Sequence, residues 1–417
     1  MTRAIIVAAV LAVLTVLDAS AEPTGSALPG LGPYDEFMAA FLRKWDVPGA
    51  GLALARDGRL LLARGYGRAN KERNISVEPT SLFRLASLSK TVTAVAVLQL
   101  IQAGRVGLDA KVLPILGEIG PRPRRITDPR VHDITVRHLL EHAGGFNRAR
   151  SGDPVFLPRA VDAARRQRGA LPPDCPTILR DTLERTLDFT PGERYAYSNV
   201  GYCILGRIIE RVTGTPYQTY VRAHVLAPAG AASMQVGRTL EAAPGEVTYY
   251  DSEQKMAMAM PGLGLARSPR PYGEFVVETM DSFGGWIGAP VDYLRFLLAI
   301  DGRRSTALLD DAIRTQMNTP SWLPEEGAAD DEPPARRSAY GLGIRVHQLD
   351  GGRANLWHTG SLPGTSTLAV RSADGFAWVV VLNGRPRDRA AFRSELDHGL
   401  WTAKAKVKRW PDGDLFR

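Results

Sequence analysis

The residues with the clearest chemical potential begin at Ser87 and Lys90, in the stretch Phe83-Arg84-Leu85-Ala86-Ser87-Leu88-Ser89-Lys90. Residues 91–103 are apolar nearly all round and end at Gly104, which predicts a buried helix with both side chains at its start. Three residues apart, they would share one face, about one turn from each other. A serine hydroxyl becomes a useful nucleophile only when a neighbouring base takes its proton. A lysine is that base once burial or nearby cations depress its pKa. Read alone, the pattern also fits an N-cap serine and a surface lysine. A lysine on a helix this apolar, however, needs a reason to be there.

A second group is Tyr197-Ser198-Asn199, where a polar, turn-prone stretch from Pro191 runs into a helical pattern over 200–212. The phenol stands on a loop entering a helix. A cationic lysine beside it would ease its ionisation, and it could relay a proton to a leaving group. The Asn199 amide can hold a substrate carbonyl and the lysine together. Ordinary helix capping would explain the same residues if they stood alone. The third group is Trp357-His358-Thr359-Gly360-Ser361, just before a strand-like run at 365–370. A glycine on a strand edge lets another backbone approach closely. The N–H of Ser361 could then join that of Ser87 as an oxyanion hole, each donor contributing about 2.7–4 kcal/mol in the transition state. Without that role, His358 is a structural histidine at a sheet edge.

In this order, the three groups resemble the penicillin-recognising serine hydrolases, which include class C β-lactamases, D-alanyl-D-alanine carboxypeptidases, D-aminopeptidases and β-lactamase-like esterases. The similarity runs from about Tyr34 to Ala403. It takes in Ile134-Thr135-Val136-Arg137-His138-Leu139-Leu140 with Gly144-Gly145, Phe283-Gly284-Gly285-Trp286, and Leu362-Pro363-Gly364. The resemblance implies that Ser87 forms an acyl-enzyme, that Lys90 and Tyr197 shuttle its proton, and that Asn199 positions substrate. It places His358, Thr359, Gly360 and Ser361 along the substrate, at a motif that reads Lys-Thr-Gly in the β-lactamases proper. The histidine fits the carboxypeptidase, D-aminopeptidase and esterase members better and argues against efficient β-lactam hydrolysis. No metal or organic cofactor is implied, and the partner is a small ester or peptide. A β-lactamase proper, and a binding scaffold that has lost its chemistry, are the alternatives.

One other motif competes. His138-Leu139-Leu140-Glu141-His142 fits H-x-x-E-H, an inverted zinc-protease pattern with both histidines on one helical face. It would need a third ligand from another segment. Gly144-Gly145 follows as after a helix C-terminus, where histidines also suit the dipole. No G-x-S-x-G elbow and no Gly-rich phosphate loop occur.

Positioning these groups requires a sheet and helices. An amphipathic helix is predicted at 34–45, after a flexible Pro/Gly stretch. Apolar runs at 51–55 and 60–65 flank Arg56-Asp57-Gly58, a hairpin signal. Runs at 340–346, 365–370 and 376–382 read as strands, with Ala373-Asp374-Gly375 turning the last pair, and 388–403 has helical spacing. The expected fold is α/β (α+β): an antiparallel sheet completed by both ends of the chain and flanked by helices. Residues 22–110 and 281–417 would form the sheet domain and 111–280 a mainly helical insertion. The cluster 121–125 and the stretch 147–173 read as irregular, the latter a candidate lid. The charged segment 325–337 reads as a solvated loop.

Composition bounds the rest. With 44% hydrophobic and 23% charged residues, the chain can build a large core. Arg3, an apolar run at 4–17 and Ala19-Ser20-Ala21 have the layout of a secretory signal, residues 1–21, so the protein should be exported, periplasmic or secreted. The run is short against the roughly 20 residues of a membrane span, so no stable membrane insertion is expected after cleavage. The net charge of +8 suits an anionic envelope polymer, or no partner, better than nucleic acid in that compartment. The two cysteines, Cys175 and Cys203, could be bridged there or stay as buried thiols.

Overall fold

The computed structural model describes residues 22–117, 126–156, 159–169, 171–252, 256–258, 267–304, 307–321 and 338–416. The signal sequence, the 121–125 cluster and the 325–337 loop lie outside these residues, as do 157, 158 and 170 of the candidate lid.

Nine strands of one antiparallel sheet are β1 (Thr24–Ala27), β2 (Gly49–Arg56), β3 (Arg59–Asn70), β4 (Ile75–Ser76), β5 (Ser338–Tyr340), β6 (Arg345–Gln348), β7 (Ala354–Leu362), β8 (Thr365–Arg371) and β9 (Phe376–Leu382). Their order is β1-β3-β2-β9-β8-β7-β6-β5, with β4 beside β3. The two ends of the chain meet where β9 pairs β2, from Phe376 opposite Arg56 to Leu382 opposite Ala50. Asp57 and Gly58 both take positive φ and turn β2 into β3, as an Asp-Gly hairpin demands.

The helices that matter to the site are α1 (Gly32–Trp45), α2 (Ser89–Gln102), α3 (Val136–Leu140), α4 (Asn199–Thr213), α5 (Pro290–Ala299) and α6 (Arg389–Lys406). Successive side chains of a strand point to opposite faces, and here both faces are covered. Leu52, Leu54, Trp378 and Val380 pack with Met38 and Phe41 of α1 and Phe392, Leu396 and Leu400 of α6. Ala53, Ala55, Val379 and Val381 pack the other way, with Val92 and Val95 of α2 and Leu294 and Leu297 of α5. This two-sided burial is why 376–382 is apolar at nearly every position. α2 lies in the second core, and Ser89 through Leu98 are buried without interruption.

Three expectations change. The Pro/Gly stretch expected to be flexible holds β1, because Thr24–Ala27 adds to the free edge of β3. The run 340–346 is two strands: Gly341 to Ile344 forms the bend between β5 and β6, and Gly343 has φ of 90°. The stretch 147–173 contains short helices at Arg148–Ser151 and Arg159–Gln167, the first capped by the Asn147 side chain. Cys175 and Cys203 are joined as a disulfide, tying helix Cys175–Leu183 to α4.

Candidate active site

Ser87 sits in the 3-10 turn Ala86–Leu88 that leads into α2. Ala86, just before it, has φ of 49°, a left-handed conformation that disfavours a residue with a Cβ. Such strain is of order 1–3 kcal/mol and persists only where the surroundings hold it. They do so here. Leu85 N donates to Trp286 O at 2.8 Å, and Thr367 Oγ1 donates to Leu85 O at 3.1 Å. From the sheet, Gly360 of β7 comes so close that a Cβ there would stand 2.7 Å from Leu85 O and 3.0 Å from Ala86 Cβ. The reading of Gly360 as a point of close backbone approach is therefore met. β6 pairs β7 only over Ala354 to Trp357, so from His358 onward β8 is the single strand neighbour of β7 among the described residues. This locally free edge faces the turn, and Ser87, Thr359 and Ser361 line one cleft, of about 300 Å³.

Lys90 is fully buried on the first turn of α2. Its Nζ stands 3.2 Å from Ser87 Oγ and donates to Asn199 Oδ1 and to Phe283 O, each at 2.7 Å. Burial, and after it the charge of Arg148, hold this amine well below its ordinary pKa, with Asp153 opposing. A neutral amine has two N–H donors and one lone pair. The two carbonyl oxygens take both donors and leave the lone pair for the Ser87 hydroxyl. Tyr197 O–H in turn donates to Ser87 Oγ at 2.7 Å. Each polar hydrogen in the chain Tyr197–Ser87–Lys90 thus has one acceptor, and the serine proton has a base to go to.

Asn199 opens α4, which Ser198 caps by accepting from Gly201 N at 3.3 Å. Its amide is oriented by a group the sequence reading missed: Asn199 Nδ2 donates to Asp153 Oδ2 at 2.6 Å, so Oδ1 faces Lys90. Asp153 is pushed up by burial, against the hydrogen bond from Asn199. It lay in the stretch read as irregular, where no periodicity marked it. Arg148 was missed for the same reason, and its guanidinium stands 4.6 Å from the Tyr197 ring centre.

The expectation that a nearby lysine would ease ionisation of Tyr197 is corrected. Burial pushes this phenol up, and the hydrogen bond to Ser87 only partly offsets it, so at rest the tyrosine keeps its proton. His358, on β7, is uncharged as well. Burial above all lowers it to about 3, against a hydrogen bond to the Thr359 carbonyl. Its Nδ1 lies 2.7 Å from Thr359 O, which only an N–H can satisfy, leaving Nε2 to accept from Tyr340 O–H at 2.8 Å.

The H-x-x-E-H residues go to separate places. His138 caps its own α3 from the N-terminal side, its Nδ1 accepting from Thr135 N at 3.3 Å. Glu141 holds Ser321, and His142 lies beyond the helix with φ of 59° and accepts from Ser198 N at 3.1 Å. α3 ends at Leu140, too soon to put both histidines on one helical face. Among the described residues, no group of three His, Cys, Asp or Glu side chains could hold a metal ion. The ring of His142 instead packs 4.2 Å from that of Tyr197.

An antiparallel sheet with helices on both faces, and a serine, lysine and tyrosine joined at its free inner edge, define a protein of the penicillin-recognising serine type. The chain belongs to the β-lactamase family, which it matches over residues 35–399. It is 30% identical to the esterase EstB of Burkholderia gladioli over 79% of this chain and 80% of that one. It is 27% identical to a putative fimbrial assembly protein FimD, serogroup D, of Dichelobacter nodosus, over 69% of this chain. The match spans only 62% of that relative, and 31% of the serogroup H1 protein. Among solved structures, D-amino acid amidase from Ochrobactrum anthropi SV3 superposes with a TM-score of 0.65 at 22% identity, covering 90% of this chain and 97% of that one.

Proposed function

We propose that the protein is a serine hydrolase that works through an acyl-enzyme on an ester or amide carbonyl, small carboxylic esters and D-amino-acid peptides or amides being the leading substrates. The observation that carries this is the hydrogen-bonded chain Tyr197–Ser87–Lys90, with burial holding the lysine amine well below its ordinary pKa. Ser87 Oγ attacks the carbonyl carbon as its proton passes to Lys90. The N–H groups of Ser87 and Ser361 receive the oxyanion. Tyr197, protonated at rest, gives its proton to the departing oxygen or nitrogen and regains one from Lys90. Water then attacks the acyl-serine, and the free acid leaves. Thr359 lines the site where the acyl group rests, while Asn199 and Gly360 shape it from behind, the one through Lys90 and the other through the turn at Ala86. Membership of a family that includes an esterase, and the fold shared with a D-amino acid amidase, support the choice of substrate classes.

β-Lactams are the poorer substrate in this account, because His358 brings no positive charge to the third motif. We also propose that the protein works outside the cytoplasm, as the signal-like 1–21 and the Cys175–Cys203 bridge suggest. The test is a panel of p-nitrophenyl esters, D-amino acid amides and a chromogenic cephalosporin, run on wild type and Ser87→Ala. Turnover of an ester or D-amide that falls at least about a thousandfold in Ser87→Ala is the expected result. A cephalosporin preferred over every ester and amide would return the protein to the β-lactamases proper.

A further inference from the structure

In the β-lactamases proper the third motif brings a lysine to the site. Here that position is His358, with both ring nitrogens committed to Thr359 O and Tyr340 O–H. Three arginines line the cleft: Arg148, Arg345 and Arg393. Arg345 donates to Tyr195 O–H at 3.1 Å and lies 5.4 Å from the Trp357 ring. Arg393 donates from Nε to Arg389 O at 3.1 Å, within α6. Arg148 alone of the three stacks on a member of the proton chain, Tyr197.

Its segment is built to hold it there. Asn147 N donates to Asp188 Oδ2 at 2.8 Å, Asn147 Oδ1 accepts from Ala149 N at 2.9 Å, and Ser151 also bonds to Asp188. Five residues on, Asp153 reaches the same network from the other side, through Asn199.

Resting on the hydrolase reading, we infer that Arg148 is the positioning cation of this site, supplied from the segment 147–155 in place of a third-motif lysine, and that Asp153 is its counterweight. Each acts through another residue: Arg148 over Tyr197 and on the charge of Lys90, Asp153 by fixing Asn199 against Lys90. The groups around Lys90 can be named by element. α4 brings Asn199 and Tyr202, the loop before it Tyr197, the segment after α3 His142, β7 His358 and the turn at Phe283 a carbonyl. His142 and His358 are both held neutral by burial, so the full charges that bear on Lys90 are Arg148, which favours the free amine, and Asp153, which favours the ammonium.

The two charges have opposite signs, and so must their removal. Acylation needs the neutral amine and is lost as pH falls through the Lys90 pKa. The experiment is stopped-flow acylation by p-nitrophenyl butyrate between pH 5 and 9, with wild type, Arg148→Gln, Arg148→Lys and Asp153→Asn. Arg148→Gln is expected to move the acidic limb to higher pH and slow acylation on that limb about three- to tenfold. Asp153→Asn should move it to lower pH, and Arg148→Lys should keep the wild-type limb. Arg148 is exposed, so its variants should melt as wild type does. Limbs that coincide in wild type and Arg148→Gln, or that move the same way in Arg148→Gln and Asp153→Asn, would overturn the inference while leaving the hydrolase. Wild type that is not acylated at all would overturn both.

Discussion

The site depends on buried groups kept uncharged, and that has a cost at low pH. His358 is lowered to about 3 and His142 well below its ordinary value, both first by burial. The unfolded chain therefore binds more protons than the folded one below the usual histidine pKa of about 6.5. The contribution of the two histidines should be level above that pH and fall as pH drops towards 3, by up to about 1.4 kcal/mol per pH unit for each. Urea titrations at pH 7.5 and 4.5 check this: wild type should lose stability at the lower pH, and His358→Gln should lose less. An equal loss in the variant would mean that His358 does not bear the acid penalty. Ser87, Lys90, Tyr197 and Asn199 were legible because their spacing against helix starts is a local signal. Arg148 and Asp153 were not, since their roles arise from a long-range approach between segments with no periodic pattern. The protonation of Tyr197 was misread because burial, which a short motif does not reveal, outweighs the hydrogen bond to Ser87.

At the level of elements, the site depends on how closely β7 approaches the turn before α2. An alanine at 360 would put its Cβ 2.3 Å from Thr367 Oγ1 and 2.7 Å from Leu85 O. Gly360→Ala is therefore expected to destabilise the fold by about 1–3 kcal/mol and, by displacing the strained Ala86–Ser87 turn, to reduce acylation more than tenfold. Melting and burst kinetics on one preparation measure both, and an unchanged burst would show that the approach does not position Ser87. The disulfide works at the same scale. Replacing Cys175 and Cys203 together with alanine should lower stability by about 3–4 kcal/mol in the chain-entropy model for a separation of 28 residues. A reductant should shift the denaturant midpoint of wild type and leave the double variant where it is. Most elements were visible as period and turn chemistry: the Asp57-Gly58 hairpin, the all-round apolar α2 and the twice-covered β9. β1 was not, because an edge strand of Thr, Gly, Ser and Ala has no hydrophobic alternation, and only its pairing with β3 makes it a strand.

For the whole molecule, the sheet joins two parts of the chain more than 300 residues apart, β2 and β9, and the active groups all come from the chain between them. α2 sits in the core on one face of the sheet and carries Lys90. α4 carries Asn199, and the free half of β7 carries His358 to Ser361. None of these groups forms a site on its own element, so catalysis should be lost with the global fold. In a denaturant titration, acylation should disappear along the same curve as near-ultraviolet circular dichroism, and activity that outlasts the fold would contradict this.

The most direct test is intact-mass spectrometry of the purified protein after exposure to a fluorophosphonate and to an activated short-chain ester, with Ser87→Ala alongside. One stable phosphonyl adduct per chain, mapping to Ser87, and a transient acyl adduct from the ester are expected on the wild type, and neither on the variant. A correctly folded wild type that takes up no label, or an adduct that persists in Ser87→Ala, would contradict the acyl-serine mechanism.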